Sequence, residues 1–315
     1  MRVAVLDDYQ GVALEMADWS PVTRDCEVVV FREPLGDTAA VIAALQGFQI
    51  VFLMRERTPF PAAVIDALPA LRLIVTTGMR NAAIDIAAAQ ARGVTVCGTN
   101  STGTPTAELV FAHMLEFNRR VGFENARMKA GEPWQITVGI DLEGKVLGVL
   151  GLGKLGRRVA AIGAAFGMEV IAWSQNLTPE ACAAAAVRHV GKDQLFAQSD
   201  YLSIHVQLSD RTRALIGAAE LAAMKPGALL INTSRGPIVD EAALIAALEG
   251  GRIHAALDVF DVEPLPRDHP YRRLDNAQIS PHLGYVTEGN YRQNYPQVVE
   301  GIRAFLDGAP IRVMG

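Results

Sequence analysis

The chain has 315 residues, 50% hydrophobic and 20% charged, which is long enough for two domains that each bury a core. A formal net charge of -5 and a pI near 5.7 offer no general attraction to nucleic acid or anionic membranes, so an anionic ligand has to be caught by local cations. Three distant cysteines, Cys26, Cys97 and Cys182, form no CxxC pair and read as structural thiols of a reducing compartment, and no apolar run reaches the length of a signal core or membrane span; both point to the cytoplasm.

From Met1 to Asn100, short β-type runs (Val3–Leu6, Val28–Phe31, Ile50–Met54, Leu73–Val75, Val94–Cys97) alternate with helix-type segments (Thr38–Leu45, Pro61–Leu68, Ile84–Arg92). Such alternation predicts an α/β fold with a parallel sheet flanked by helices. The connections after two of these strands carry polar residues, Arg55-Glu56-Arg57-Thr58 and Thr76-Thr77-Gly78-Met79-Arg80-Asn81, and ligands of open α/β sheets bind at strand carboxyl ends. A Ser/Thr/Gly/Pro stretch, Gly98 to Pro105, then marks a domain crossing before an amphipathic helix from Thr106 to Arg120.

The centre of the chain is Val146–Phe166, where the apolar run Val146–Leu150 feeds Gly151-Leu152-Gly153-Lys154-Leu155-Gly156 and then an Ala-rich amphipathic helix. Strand, tight turn and helix in this order suit a dinucleotide pyrophosphate: Gly151 for the turn, Gly153 for close approach of the phosphates, Gly156 for close helix packing. After the next strand, Val170–Trp173, comes Ser174-Gln175-Asn176, where an acid would hold the ribose hydroxyls. No acid is present and no Arg stands beside it in sequence, so NAD is the expected cofactor with NADP left open. Further strands follow at Tyr201–His205, Ala228–Asn232, Ala255–Val259 and Ala277–Ser280, with a helix at Glu241–Glu249 and a last helix from Tyr291 to Asp307 that returns to the first domain.

Arg235, Glu263 and His282 each follow one of these later strands. A guanidinium grips a carboxylate through two parallel hydrogen bonds, each worth roughly 1.5–3 kcal/mol. A histidine beside a carboxylate can deliver a proton to a carbonyl oxygen as hydride arrives. Singly each residue has an ordinary structural reading; together, behind a dinucleotide turn, they suit reduction of a 2-oxo acid. No GxSxG elbow supports a serine hydrolase, and the histidines have no metal-binding spacing.

From Gly131 to His282 the chain resembles the D-isomer-specific 2-hydroxyacid dehydrogenases, through Gly131-Glu132-Pro133-Trp134, the Gly151–Gly156 turn, Met224-Lys225-Pro226-Gly227-Ala228, Asn232-Thr233-Ser234-Arg235-Gly236, Ala256-Leu257-Asp258-Val259-Phe260, Glu263-Pro264 and Ser280-Pro281-His282-Leu283-Gly284. The resemblance implies two doubly wound parallel-sheet domains, a Rossmann dinucleotide-binding domain (103–289) inserted into a flavodoxin-like substrate domain (1–102 and 290–315). It implies Arg235 as carboxylate anchor, His282 as acid/base and Glu263 as its partner. Gly151, Gly153, Lys154, Leu155, Gly156, Ser174, Thr233, Asp258 and Gly284 are then cofactor contacts, and Arg55, Gly78, Met79 and Arg80 line the substrate side. It also implies a homodimer through the cofactor domain. Departures are Ser174 at the usual ribose acid, Arg80 in the substrate loop, and Tyr285 where a small residue is common. A cofactor-sensing protein without turnover is the alternative; a formate dehydrogenase would need Gln at Glu263.

Overall fold

The computed structural model describes residues 1–100 and 104–315. The chain forms two compact units, Met1–Gly103 with Thr287–Gly315, and Thr104–Val286. The first expected boundary, at 102/103, lies outside the described residues. The second crossing falls at Val286 and Thr287, ahead of the expected 289/290, because the last helix starts earlier than its apolar periodicity indicates. Thr287 caps that helix, Glu288–Leu306, by accepting the Asn290 N–H, and the first turn behind it, Glu288-Gly289-Asn290, has no apolar residue to announce it.

The first unit contains five parallel strands, β1 (Arg2–Val5), β2 (Glu27–Val30), β3 (Ile50–Leu53), β4 (Leu73–Thr76) and β5 (Thr95–Cys97), in the order β2-β1-β3-β4-β5. That is the flavodoxin-like doubly wound order. Every residue of β3 and β4 is buried, as expected of central strands covered by helices on both faces. Helices Thr38–Leu45 and Ile86–Ala91 are each capped by an aspartate, Asp37 and Asp85, whose side chain accepts a backbone N–H at 2.9 Å. Such a cap contributes about 1 kcal/mol. The second helix begins two residues later than expected because Ile84 is drawn into a β-bridge with Phe60.

In the second unit β6 (Val146–Leu150), β7 (Glu169–Trp173), β8 (Arg188–His189), β9 (Tyr201–Ile204), β10 (Leu229–Asn232), β11 (His254–Leu257) and β12 (Ala277–Ile279) form one parallel sheet in the order β12-β11-β10-β9-β6-β7-β8. Counted from β6 this is the Rossmann order with a seventh strand added. Alternate residues enter opposite cores: Leu147, Val149, Leu229 and Ile231 pack on one face, Leu150, Leu202, Ile204 and Leu230 on the other. Each such burial contributes roughly 1.5–3 kcal/mol. The winding reverses between β6 and its neighbour β9, which leaves a crevice at their carboxyl ends.

Candidate active site

The glycine turn sits at that crevice. Gly151 has φ +99°, and a side chain there would strike the His205 backbone at 2.9 Å, so only glycine fits. Gly156 lies so close under the Gly151 carbonyl that a Cβ would collide with it, which is how the helix Lys154–Ala165 starts tight against the turn. Gly153, by contrast, has nothing within 4 Å of the place a Cβ would take. No side chain caps this helix, so its first N–H groups, beginning with Lys154 and Leu155, are directed at whatever occupies the crevice.

Ser174 follows β7 directly, beside the turn, since the Gly151 N–H donates to the Trp173 carbonyl (3.0 Å). Sequence proximity suggested no arginine near this position, but the fold supplies one. Arg211, 35 residues from Asn176 in the chain, places Nη2 at 3.4 Å from the Asn176 Oδ1. The loops after β7 and β9 lie on either side of β6, so the separation in sequence hides the proximity.

The loops after β10, β11 and β12 carry the three candidate residues, Arg235, Glu263 and His282. Asn232 ties the β10 loop by donating to the Arg235 carbonyl (2.9 Å) and accepting the Ser234 N–H (3.0 Å). Gly236 has no room for a side chain against the Phe260 carbonyl and Asp261 amide, and this close approach brings the loop of half-buried Arg235 beside that of Glu263. Glu263 Oε2 lies 2.6 Å from His282 Nδ1, while its Oε1 accepts the Phe260 N–H at 2.9 Å. Burial raises the pKa of Glu263, but the hydrogen bond and charge of His282, the Phe260 amide and the Arg235 charge outweigh it and hold the carboxyl below its usual range. Ionised Glu263 fixes the imidazole with Nε2 directed away from it. His282 itself has φ +53°, a left-handed backbone that costs a non-glycine residue about 1–3 kcal/mol and clusters at functional sites. The Tyr285 ring packs edge-on against the imidazole, with centroids 5.3 Å apart.

Asp258 is fully buried under the same loop, where its carboxylate accepts the Gly284 N–H and two further hydrogen bonds. Thr233 is buried too, and its Oγ1 has no partner among the described residues. In the first unit Arg55, at φ +56°, lays its guanidinium over Gly78 and pairs with Glu56 at 3.5 Å. Gly78 donates to the Thr99 hydroxyl (2.9 Å), and buried Asn81 donates to the Arg55 carbonyl (2.7 Å), so these two loops are fixed to each other. Met79 and Arg80 at the tip of the second loop are exposed.

A family model described as the NAD-binding domain of D-isomer specific 2-hydroxyacid dehydrogenase matches residues 111–284, more than half of the chain. The chain belongs to the D-isomer-specific 2-hydroxyacid dehydrogenase family. It is 37% identical over 255 residues to the glyoxylate reductase of Aeropyrum pernix, covering 78% of this chain and 76% of that one. It is 29% identical to the hydroxypyruvate reductase of Blautia hydrogenotrophica, over 100% of this chain and 99% of that one. Among solved structures, a phosphoglycerate oxidoreductase from Vibrio cholerae O395 superposes with a TM-score of 0.93 at 33% identity, over 98% of this chain and 100% of that one.

Membership in the D-isomer-specific 2-hydroxyacid dehydrogenases makes the chain an oxidoreductase with an NAD(P) cofactor. The second unit fits that group. Gly153 has open space beside the uncapped start of its helix, and the buried Thr233 hydroxyl, at the end of β10 two strands away, has no partner among the described residues. A buried hydroxyl left unpaired costs about 1–3 kcal/mol, a penalty that a polar ligand atom removes. Arg211 and Thr99 went unnoticed in the sequence, since each meets its partner, Asn176 and Gly78, only through the fold. No helix among the described residues is long and apolar enough to cross a membrane.

Proposed function

We propose that this dehydrogenase interconverts a 2-oxo acid and its D-2-hydroxy acid, with Arg235 as the carboxylate anchor, His282 as the proton donor and acceptor, and Glu263 as the residue that holds the imidazole. The observation that carries this reading is the 2.6 Å contact of Glu263 with His282, beside a guanidinium near enough to act on the same carboxyl. The nicotinamide supplies or accepts the hydride when bound. In reduction, imidazolium His282 gives its Nε2 proton to the carbonyl oxygen as the carbon gains hydride, and Glu263 balances the imidazolium charge until then. Arg235 orients the carboxylate by a planar fork that a lysine cannot reproduce. Lys154, Leu155, the three turn glycines, Ser174, Thr233, Asp258 and Gly284 belong to the cofactor seat in this reading.

The unit Met1–Gly103 with Thr287–Gly315 then acts as the substrate domain and Thr104–Val286 as the cofactor domain. Arg55, Gly78, Met79 and Arg80 contact substrate, and Arg80 favours an acid with a second anionic or strongly polar group over pyruvate. The working unit is a homodimer formed through the cofactor unit. Support comes from the segment 121–140, where Val121, Met128, Trp134, Ile136, Val138 and Ile140 are all exposed and Val138 is 97% accessible. That segment is held ready by Glu124, which accepts the Ile136 and Thr137 amides, and by Arg127, which donates to Glu132. The three buried free thiols suit a reducing cytoplasm.

The test is a series of 2-oxo acids, from pyruvate to dicarboxylic acids, followed by oxidation of the reduced nicotinamide. Turnover of at least one, lost in Arg235→Lys, is the expected result. Wild-type turnover in that variant removes the anchor role, and equal losses across the series in Arg80→Ala remove the substrate preference.

A further inference from the structure

We infer that the cofactor seat of this chain prefers NADP(H) to NAD(H), and that Arg211 is the cation that receives the 2′-phosphate. The inference rests on the dehydrogenase reading of that seat and specifies which dinucleotide it takes.

The position that decides between the two cofactors follows β7, where a carboxylate accepts the ribose hydroxyls for NAD and an arginine accommodates the phosphate for NADP. Here the carboxyl end of β7 is tied to the glycine turn, and the three residues after it, Ser174, Gln175 and Asn176, carry one hydroxyl and two amides. Nothing in that stretch repels a phosphate, and each side chain can donate a hydrogen bond to one. The stretch is folded into a turn by the Leu177 N–H, which donates to the Ser174 carbonyl at 3.0 Å.

Arg211 reaches this turn from the loop after β9 and touches Asn176. It has no carboxylate within ion-pair distance among the described residues, although Asp210 is its neighbour in the chain. Two basic residues between β7 and β9 are already committed: Arg188 pairs with Glu169 at 2.7 Å and Lys192 with Glu220 at 2.7 Å. The backbone under Arg211 is fixed as well. The Thr212 hydroxyl donates to the Gln207 carbonyl (2.6 Å) and accepts the Ser209 N–H (2.8 Å), and the Arg213 N–H donates to the Ser209 carbonyl (2.9 Å). An uncommitted guanidinium on a fixed turn, facing a run of neutral donors, is a phosphate-binding arrangement. Its hydrogen-bond partner among the described residues, a neutral amide oxygen at 3.4 Å, is readily exchanged for a dianion.

The experiment uses the full chain and binding rather than turnover. Calorimetric titration with 2′,5′-ADP and with 5′-AMP compares two probes that differ only in the 2′-phosphate, and nicotinamide fluorescence compares NADPH with NADH. The phosphate-bearing partner is expected to bind about tenfold or more tightly in each pair. Arg211→Ala should abolish that advantage while leaving 5′-AMP and NADH within about twofold, because Arg211 is exposed and its loss leaves no buried group unpaired. Ser174→Asp should reverse the preference by placing a carboxylate against the phosphate. Equal affinity for the two members of each pair in the natural protein overturns the inference and leaves the dehydrogenase reading intact. Equal losses for NADH and NADPH in Arg211→Ala overturn it too, since they mean that the guanidinium only packs on the adenosine common to both. Failure of both dinucleotides to bind overturns the seat itself.

Discussion

Asp258 Oδ2 accepts the Gly284 N–H at 2.8 Å, so a fully buried carboxylate at the end of β11 grips the backbone two residues beyond His282. Its Oδ1 takes the Leu283 N–H at 2.7 Å and the Ser280 hydroxyl at 2.6 Å, so both sides of the His282 loop are held by one side chain. Burial pushes the Asp258 carboxyl up from its usual pKa, against those three hydrogen bonds and the His282 charge. The left-handed backbone at His282 persists because this clamp determines the residues around it.

Asp258→Asn turns one acceptor oxygen into a donor and leaves a buried N–H facing it. The expected cost is about 1–3 kcal/mol of stability, read as a lower denaturation midpoint. With His282 less well held, kcat should fall more than KM rises. A variant with unchanged midpoint and kcat would show that the loop keeps its shape without the clamp.

The Glu263–His282 pair makes a separate prediction about pH. His282→Asn fills the space and keeps cofactor binding but removes the transferable proton, so reduction should be lost. Glu263→Gln keeps the shape and removes the anion that stabilises imidazolium, which shifts the alkaline limb of the reduction profile, where the proton donor is lost, to lower pH. The pair also contributes to stability. Because the folded-state pKa of Glu263 is depressed, its share is present above the ordinary carboxylate range and is lost as pH falls through the folded value. A rate profile that stays in place in Glu263→Gln would break the dyad.

How much of this was legible in the sequence differs from residue to residue. Gly151, Gly153 and Gly156 were readable because each answers a distinct steric demand within one local turn. Arg235, Glu263 and His282 were readable as candidates because strand ends can be located from apolar runs. Their partners were not. His282 is held by Asp258 from the neighbouring strand, and Arg211 meets Asn176 only because the winding of the sheet reverses at β6. Two-residue β8 has no period to detect, and it is recognised only through its pairing with β7. The exposed apolar face of 121–140 was also missed, since the helix Val121–Lys129 has no buried residue and hence no core stripe.

That face yields a prediction about assembly. If a second copy covers it, Trp134→Glu and Val138→Asp should convert a dimer into monomers at micromolar concentration, read by light scattering on a sizing column. Neither side chain supports its own unit, being 71% and 97% exposed, so folding should survive. A natural protein that elutes as a monomer, or a dimer untouched by both charges, would remove this face from the assembly.

Buried His113 and partly buried His205 predict an acid-sensitive cofactor unit. His113 lies on the helix Pro105–Arg119 with Nε2 at 3.0 Å from the Ser280 hydroxyl and Nδ1 at 2.9 Å from Gln278, and burial lowers its pKa from 6.5 to about 4. His205 follows β9, contacts the Ser203 hydroxyl through Nε2 at 2.8 Å, and is lowered by burial to about 3. Both are neutral in the folded protein at pH values where the unfolded chain already binds a proton. Stability should therefore be insensitive to these groups above about pH 7 and fall as pH drops below 6.5, with the loss levelling off only near the folded values. Depressions of this size are worth roughly 3–5 kcal/mol per histidine, a large share of the ~5–15 kcal/mol that holds a typical domain together. Carboxylates also titrate in this range, so the measurement is a comparison of urea midpoints between the natural chain and His113→Gln from about pH 7 down to about pH 4.5. The variant is expected to start less stable near neutrality and to lose stability less steeply, by close to one proton in the slope. Parallel curves would mean that His113 stays unprotonated in the unfolded chain as well or gains a proton without cost in the folded one, and its burial would then carry no penalty in acid.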